Sequence, residues 1–576
     1  MEKKPKKIGV YICHCGGNIS DYVDVEKVRQ SVEGEDIVFI AKTTMFACSD
    51  ANQRDMVEDI KANELDGVIV ASCSPKLHQL TFRNVSIRAD LNKYTYVHAN
   101  IREQASWAHS DNKIGATEKA IHLVQAAVAK ARYAEALETN KIKAKKAVAV
   151  IGAGVAGIKA AIALAEKDTD VILIEKAPVV GGRVAQWGSL FSTNETGADM
   201  MKRLSSELLK HQNITLMTNT EVIENKGSVG NISLKVRTTS DDVDKQQITE
   251  ITVGSVLMAT GFDFYTPEEG EFGYATSDKV ITLPEFKQMI DTQSGKLIHK
   301  GKEVKNIAYI YCVGSRQTDG ENTYCSRNCC TSTIHAAVTA KQKFANINNY
   351  HFNRGLRTYG KQEILYADSL RSGDIYLQSY EDGLPTVVTE GKKTIVKIND
   401  ILTNGREIEV EADLVVLVTG MVPRSDNNTV GSLFKIPKGR DKFYNEVHMK
   451  LRPVETVIDG ITIAGACQGP KNIAESVNSA LSAATKSYSI LSKGELETDP
   501  LVATIDPDKC TWCGACEAAC PFDAILKVEK GGKMIAEINN TVCKGCGMCA
   551  PVCEPDAVNL IACSSKEIMS MIDALV

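Results

Sequence analysis

Residues 510–520 and 543–553 carry the same cysteine spacing, and that spacing leaves little freedom for what surrounds it. The first reads Cys510-Thr-Trp-Cys513-Gly-Ala-Cys516-Glu-Ala-Ala-Cys520, the second Cys543-Lys-Gly-Cys546-Gly-Met-Cys549-Ala-Pro-Val-Cys553. In such a run three closely spaced thiolates wrap one face of a [4Fe–4S] cubane, while the fourth lies too far along the chain and serves the neighbouring cluster. The expected ligand sets are Cys510, Cys513, Cys516 with Cys553, and Cys543, Cys546, Cys549 with Cys520. Gly514, Gly545 and Gly547 relax the tight turns and let backbone N–H groups approach the sulfurs. A zinc ribbon pairs two C-x2-C arms across a longer spacer and lacks both the third cysteine and the following x3-C. Two adjacent clusters conduct electrons; they do not catalyse.

The chain has 18 cysteines, and all but Cys467 and Cys563 fall into four groups of four. Its 576 residues are too many for one hydrophobic core and suggest three or four domains. No stretch approaches the roughly 20 apolar residues of a membrane helix. Met1-Glu-Lys-Lys-Pro-Lys-Lys has no apolar signal core, so a cytoplasmic location is expected. In that reducing compartment metal ligation is the better account of the thiols than disulfides. A net charge of -5 gives no reason to expect nucleic acid or an acidic membrane as partner.

Residues 147–151 form an apolar strand that runs into Gly152-Ala-Gly154-Val155-Ala-Gly157 and then a helix-forming run at 160–165. Gly152 allows the tight turn, Gly154 admits a pyrophosphate, and Gly157 permits close helix–strand packing. The next strand ends in Glu175, where a ribose-binding carboxylate belongs, followed by Lys176. Gly182-Arg183, the strand end Ala259-Thr260-Gly261, and Gly465 to Lys471-Asn472 before a helix complete the set. These segments resemble the signatures of two-dinucleotide-domain flavoproteins of the thioredoxin reductase type, which implies FAD. There the last helix points its positive end at the flavin. Lys471 adds charge at that place and is the one side chain offered for a catalytic role; a surface lysine at a helix start is the alternative. Cys467 is expected to be a small buried residue.

Flavoproteins of that type insert a second dinucleotide domain. The matching strand here, residues 306–312, enters no glycine loop; Cys312 is followed by Cys325, Cys329 and Cys330 and then a helix. Without the loop, backbone amides cannot cradle a pyrophosphate. The four thiols are read as a third [4Fe–4S] site, which disfavours hydride delivery through this domain. At the N-terminus, strands near 9–12, 37–41 and 67–71 are each followed by cysteine: Cys13 and Cys15, Cys48, and Cys73. Carboxyl ends of parallel strands share one edge, so these four can converge as a fourth site. His14 and His78 are read as ordinary histidines, residues 101–140 as amphipathic helices, and 141–146 as an exposed basic linker.

The chain resembles the A-type chains of heterodisulfide reductase and their homologues over essentially its whole length. The carrying segments are residues 10–18, Ala71-Ser-Cys73-Ser-Pro-Lys, Ala99-Asn-Ile-Arg102-Glu-Gln104, the fingerprint at 152–157, Cys312 to Cys330, and Gly469-Pro-Lys471. The resemblance implies an oxidoreductase component holding one FAD and four [4Fe–4S] clusters. Its implied activity is flavin-based bifurcation, one electron going to a disulfide-reducing partner and the other to ferredoxin. Implied partners are heterodisulfide reductase B- and C-type subunits, a hydrogenase-, formate dehydrogenase- or NADH-linked donor subunit, ferredoxin, and a second copy in a homodimer. The alternatives are a non-bifurcating electron conduit and, disfavoured, an independent NAD(P)H-dependent disulfide reductase. The expected fold is α/β: an N-terminal α/β iron–sulfur domain (1–140), a thioredoxin-reductase-like FAD domain in two parts (145–300 and 421–492), an inserted unit (303–420), and an α+β two-cluster ferredoxin domain (498–576). Two departures stand out. Methanogen-type members carry an extra ferredoxin module after the stretch matching Gly181-Gly182-Arg183, where this chain has no cysteine, and Ala105 stands where many relatives have cysteine.

Overall fold

The structure, a computed structural model, describes residues 6–191, 193, 195–239, 246–381, 383–390 and 393–575. It divides into two compact units, Met1–Lys141 with Glu497–Val576, and Ile142–Leu496. The N-terminal domain and the ferredoxin module, expected as separate domains at opposite ends of the chain, therefore form one body.

In the first unit, four parallel strands lie in the order Val38–Thr44, Ile8–Cys13, Gly67–Ser72, Tyr96–Asn100. The two central strands are buried at every position, as apolar runs covered by helices on both faces must be. Helices Asp50–Asn63 and Pro75–Arg88 start directly after the cysteine-bearing turns, where Ser49 and Ser74 accept hydrogen bonds from Asn52 N–H and Lys76 N–H. The expected helices of 101–140 reduce to a π-helical turn, Arg102–Ser106, and one helix, Lys113–Tyr133; the expected linker contains a short strand, Asn140–Lys143.

Helix Ser565–Asp573, opened by a Ser564/Glu567 capping box, packs on helix Lys113–Tyr133. Lys566 Nζ sits 4.7 Å from the Tyr133 ring centroid, and Ser570 Oγ donates to Ala129 O at 3.4 Å. Between the two cysteine runs lies the hairpin Ile525–Lys530/Lys533–Ile538, and Ala503–Ile505 pairs antiparallel with Val558–Leu560.

The second unit repeats one architecture twice. A five-stranded parallel sheet runs in the order Ile461–Ile463, Ser255–Met258, Ala147–Ile151, Asp170–Ile174, Ile214–Met217, and carries an antiparallel layer of Thr220–Ser228, Asn231–Thr238 and Gln247–Val253. The second sheet runs Val280–Thr282, Leu414–Thr419, Asn306–Val313, Asn348–Asn353, Ile375–Gln378, with its own layer of Thr386–Glu390, Lys393–Asp400 and Arg406–Ala412. Because Val280–Thr282 pairs with Leu414–Thr419, the inserted unit begins before residue 280 rather than at 303. Asp263–Phe264 pairs antiparallel with Met421–Val422 where the chain leaves and re-enters the first half. Among the described residues no helix is long and apolar enough to cross a membrane.

Candidate flavin cavity and thiolate groups

The strands of the first sheet end at a cavity of about 750 Å³. Gly152, Gly154, Val155, Glu175, Lys176, Gly182, Arg183, Ala259, Thr260, Gly261 and Lys471 all line it. The three fingerprint glycines have distinct duties. A Cβ on Gly152 (φ = 103°) meets Ala259 O at 2.5 Å, and one on Gly157 meets Gly152 O at 1.8 Å, whereas one on Gly154 meets nothing within 4 Å. The first two close the strand–helix packing; the third faces open space. Helix Val155–Ala165 begins at Gly154 with no side-chain cap, leaving its first N–H groups for a phosphate. The Glu175 carboxylate accepts from Ala153 N–H at 2.7 Å and Ala177 N–H at 2.8 Å, and Arg183 pairs with Asp263 at 2.5 Å. The Thr419 hydroxyl, buried on the cavity wall, has no hydrogen-bond partner. An uncapped helix start, an open glycine and an unpaired buried hydroxyl fit a dinucleotide.

Three expected contacts are not on the wall. Gly157 is a packing residue. Gly465 lies against Ala156, whose Cβ is 2.8 Å from where its own would be. Asn472 is committed to capping helix Ile473–Leu491, accepting from Glu475 N–H while Glu475 reaches back. Cys467 is wholly buried, its Sγ donating to the Met258 and Ala464 carbonyls at 3.4 and 3.1 Å. Lys471 does reach the wall; burial pulls its ammonium pKa down, and Cys467 and Glu446 oppose that.

Sequence reasoning missed Trp187, Phe264, Thr419, Arg424 and Asp426, all on the wall. Trp187 and Phe264 stack there, with centroids 5.3 Å apart. One signal was available: residues 415–420, Val-Val-Leu-Val-Thr-Gly, repeat the pattern of 256–261, Val-Leu-Met-Ala-Thr-Gly.

Cys312, next to last in strand Asn306–Val313, has a left-handed conformation (φ = 61°), and Cys329 and Cys330 open helix Cys329–Lys343. Cys329 shares a hydrogen bond with Cys330, and both Cys312 and Cys325 lie close enough to push its thiol up further; Cys330 is correspondingly pulled down. Arg327 N–H donates to Cys325 Sγ at 3.3 Å. The four are thus brought together, and Cys329 is also part of the flavin cavity wall.

In the N-terminal sheet, Cys13 Sγ accepts from Cys15 N–H at 3.3 Å and Ala47 N–H at 3.4 Å, and Arg102 donates to Cys15 Sγ at 3.6 Å. Burial raises Cys13, with Cys15 and Cys48 adding to the rise; burial raises Cys73 to about 11, with Arg102 opposing and Cys15 adding. These four also gather at one sheet edge. Ala105 is fully buried in the apolar core of this domain. His78 bonds Thr81 at 3.3 Å, and burial lowers its pKa.

The ferredoxin-like module has two small cavities. Cys510, Cys513, Cys516 and Cys553 line one; Cys520, Cys543, Cys546 and Cys549 line the other. Backbone N–H groups point at the sulfurs: Ala536 to Cys510 (3.4 Å), Ala557 to Cys553 (3.3 Å), Ala524 to Cys520 (3.3 Å), and Ala503 and Gly545 to Cys543 (both 3.5 Å). Among the described residues, no three His, Cys, Asp or Glu side chains gather as a single metal ion requires. Thiols arranged around a space, with amides aimed at them, fit a cubane.

Residues 146–306 match the family model for pyridine nucleotide-disulphide oxidoreductases, and 503–554 the one for 4Fe-4S dicluster domains. The chain is 36% identical to an iron-sulfur A-type chain of the CoB--CoM heterodisulfide reductase of Methanopyrus kandleri, over 93% of each chain. It belongs to the A-type family of heterodisulfide reductase chains. A second member, the A-type chain of the H(2):CoB-CoM heterodisulfide,ferredoxin reductase of Methanothermobacter marburgensis, is 35% identical over 91% of each chain. A third, from Methanosarcina acetivorans and named as ferredoxin/F(420)H(2)-dependent, is 31% identical over 90% of this chain and 75% of that one. Among solved structures, the thioredoxin reductase of T. acidophilum aligns with 60% of this chain and 98% of its own at 19% identity, with a TM-score of 0.41. As a member of this family the chain is an oxidoreductase component that transfers electrons with FAD and iron–sulfur clusters.

Proposed function

We propose that this chain splits electron pairs at FAD between ferredoxin and a higher-potential acceptor, using four [4Fe–4S] clusters held by the sixteen grouped cysteines. The observation that carries this reading is that Cys329, one of the thiols at the Cys312 turn, also lines the flavin cavity. A cluster there stands beside the flavin where a nicotinamide domain keeps its phosphate loop. FAD supplies the ability to take electrons in pairs and release them singly. The polypeptide does the rest. Helix Val155–Ala165 and Gly154 receive the pyrophosphate, Glu175 orients the ribose, Lys471 brings positive charge to the wall, and the Trp187–Phe264 stack keeps water from one side. The chain works in the cytoplasm, as a homodimer within a larger complex. Heterodisulfide reductase B- and C-type subunits receive the higher-potential electron, and a hydrogenase-, formate dehydrogenase- or NADH-linked subunit supplies the pair.

Spectroelectrochemical titration of the flavin in the intact anaerobic protein tests this. The expected result is crossed one-electron potentials, the second electron leaving at a much lower potential than the first. Uncrossed potentials, with a one-electron state stable at equilibrium, would make the chain a simple conduit between a donor protein and another reductase.

A further inference from the structure

Arg354 is only 8% exposed, and its hydrogen bonds go to neutral groups alone. Nη1 donates to Arg316 O at 3.0 Å and Glu381 O at 3.3 Å, Nη2 donates to Ser315 O at 3.0 Å, and Nε has no partner. Among the described residues no carboxylate stands within ion-pair distance of it. A buried cation is costly unless anionic charge faces it. Two of the three carbonyls it grips, Ser315 O and Arg316 O, belong to the turn directly after Cys312, where Cys312 and Gly314 both have positive φ (61° and 68°). That turn follows Cys312, one of the four grouped thiols. The Arg316 side chain is 10% exposed and donates to Arg354 O at 2.8 Å and to Glu381. Residues 498–576, which hold the two cysteine runs, contain no arginine.

We infer that Arg354, assisted by Arg316, is a positioning residue that holds the Cys312–Cys330 cluster at a higher reduction potential than the pair in residues 498–576. That cluster is thereby the acceptor of the less energetic of the two electrons leaving the flavin cavity. Reduction adds one negative charge to the cluster and breaks no bond, so a fixed buried cation stabilises the reduced form more than the oxidised one. The second observation with the same direction is position: Cys329 gives this cluster the flavin cavity as its neighbour. The inference rests on the proposal that these four thiols hold a cluster.

The test is a potentiometric titration, followed by electron paramagnetic resonance, of the full chain purified anaerobically with its cofactors. In Cys325→Ser one cluster signal and about four irons should vanish, which identifies the signal. A Cys325→Ser chain that keeps every signal and all its iron would remove the cluster reading itself. In Arg354→Gln the identified signal should shift to lower potential by a factor of ten or more in its reduction equilibrium, about 59 mV for one electron. The signals of residues 498–576 should stay in place, and Arg354→Lys should restore most of the shift. If Arg354→Gln fails to assemble the cluster, Arg316→Gln, whose carboxylate partner is exposed, should shift it in the same direction by less. An unmoved midpoint in the assembled variants, or an equal shift of all clusters, would overturn the inference.

Discussion

Gly157→Ala retains less than a tenth of its flavin. The added methyl carbon falls 1.8 Å from Gly152 O, 3.0 Å from Gly152 C and 3.4 Å from Val150 Cγ1. The first of these is far inside contact distance, and backbone rather than a flexible side chain stands in the way. Helix Val155–Ala165 must move off its strand, and it carries the uncapped N–H groups that receive the phosphates. Overpacking of this kind costs about 1–3 kcal/mol or more, and each 1.4 kcal/mol is roughly tenfold in binding. Gly154→Ala separates the packing role from the binding role. Its methyl meets no protein atom within 4 Å, so the apo-protein should melt like the wild type while FAD is still lost to a methyl in the phosphate space. Flavin absorbance per chain after desalting, with the melting temperature of the stripped protein, checks both. Full flavin content in Gly157→Ala would contradict the cavity assignment.

Cys553→Ala removes the same four irons as Cys513→Ala, and Cys520→Ala the same four as Cys546→Ala. The spacing of the two runs predicts this crossed pairing, each fourth cysteine serving the neighbouring cluster. The geometry agrees. Cys553 lies around the cavity of the first run and Cys520 around that of the second, because antiparallel pairing of Ala503–Ile505 with Val558–Leu560 brings the two ends of the module together. Each fourth thiolate also has its own amide, Ala557 N–H for Cys553 and Ala524 N–H for Cys520. Each single variant is expected to lose about four irons, one cubane, measured together with the cluster signal that disappears. Variants at Cys513 and Cys520 that extinguish the same signal would refute the crossed arrangement.

What was legible in the chain followed from local rules. The glycine fingerprint is read directly because Gly152 and Gly157 answer contacts with an adjacent strand end and the preceding turn, while Gly154 keeps the space at the helix start open. The cysteine runs are read because three ligands sit within seven residues of one another. Arg424 and Asp426 were not legible, since nothing local marks them; they come to the cavity where Met421–Val422 pairs with Asp263–Phe264 as the chain re-enters the first half. Asn472 was assigned to the cofactor on its position in a motif, yet its side chain is used by the helix that follows, a competition that Asn at a helix start commonly decides in favour of the backbone. The union of the N-terminal sheet with the C-terminal module depends on helix Ser565–Asp573 meeting helix Lys113–Tyr133 across more than 400 residues of chain. No short-range pattern announces such a contact. Arg354 carries no motif at all; only its burial without a carboxylate partner distinguishes it.

Thiolates holding iron beside a flavin are the foundation of every role assigned to this chain. The most direct test is the metal, acid-labile sulfide and FAD content of the full chain prepared without oxygen. About sixteen irons and as many sulfides per bound FAD are expected, four for each of four clusters. About eight irons per flavin, confined to the signals that Cys513→Ala and Cys546→Ala remove, or zinc in place of iron, would contradict it.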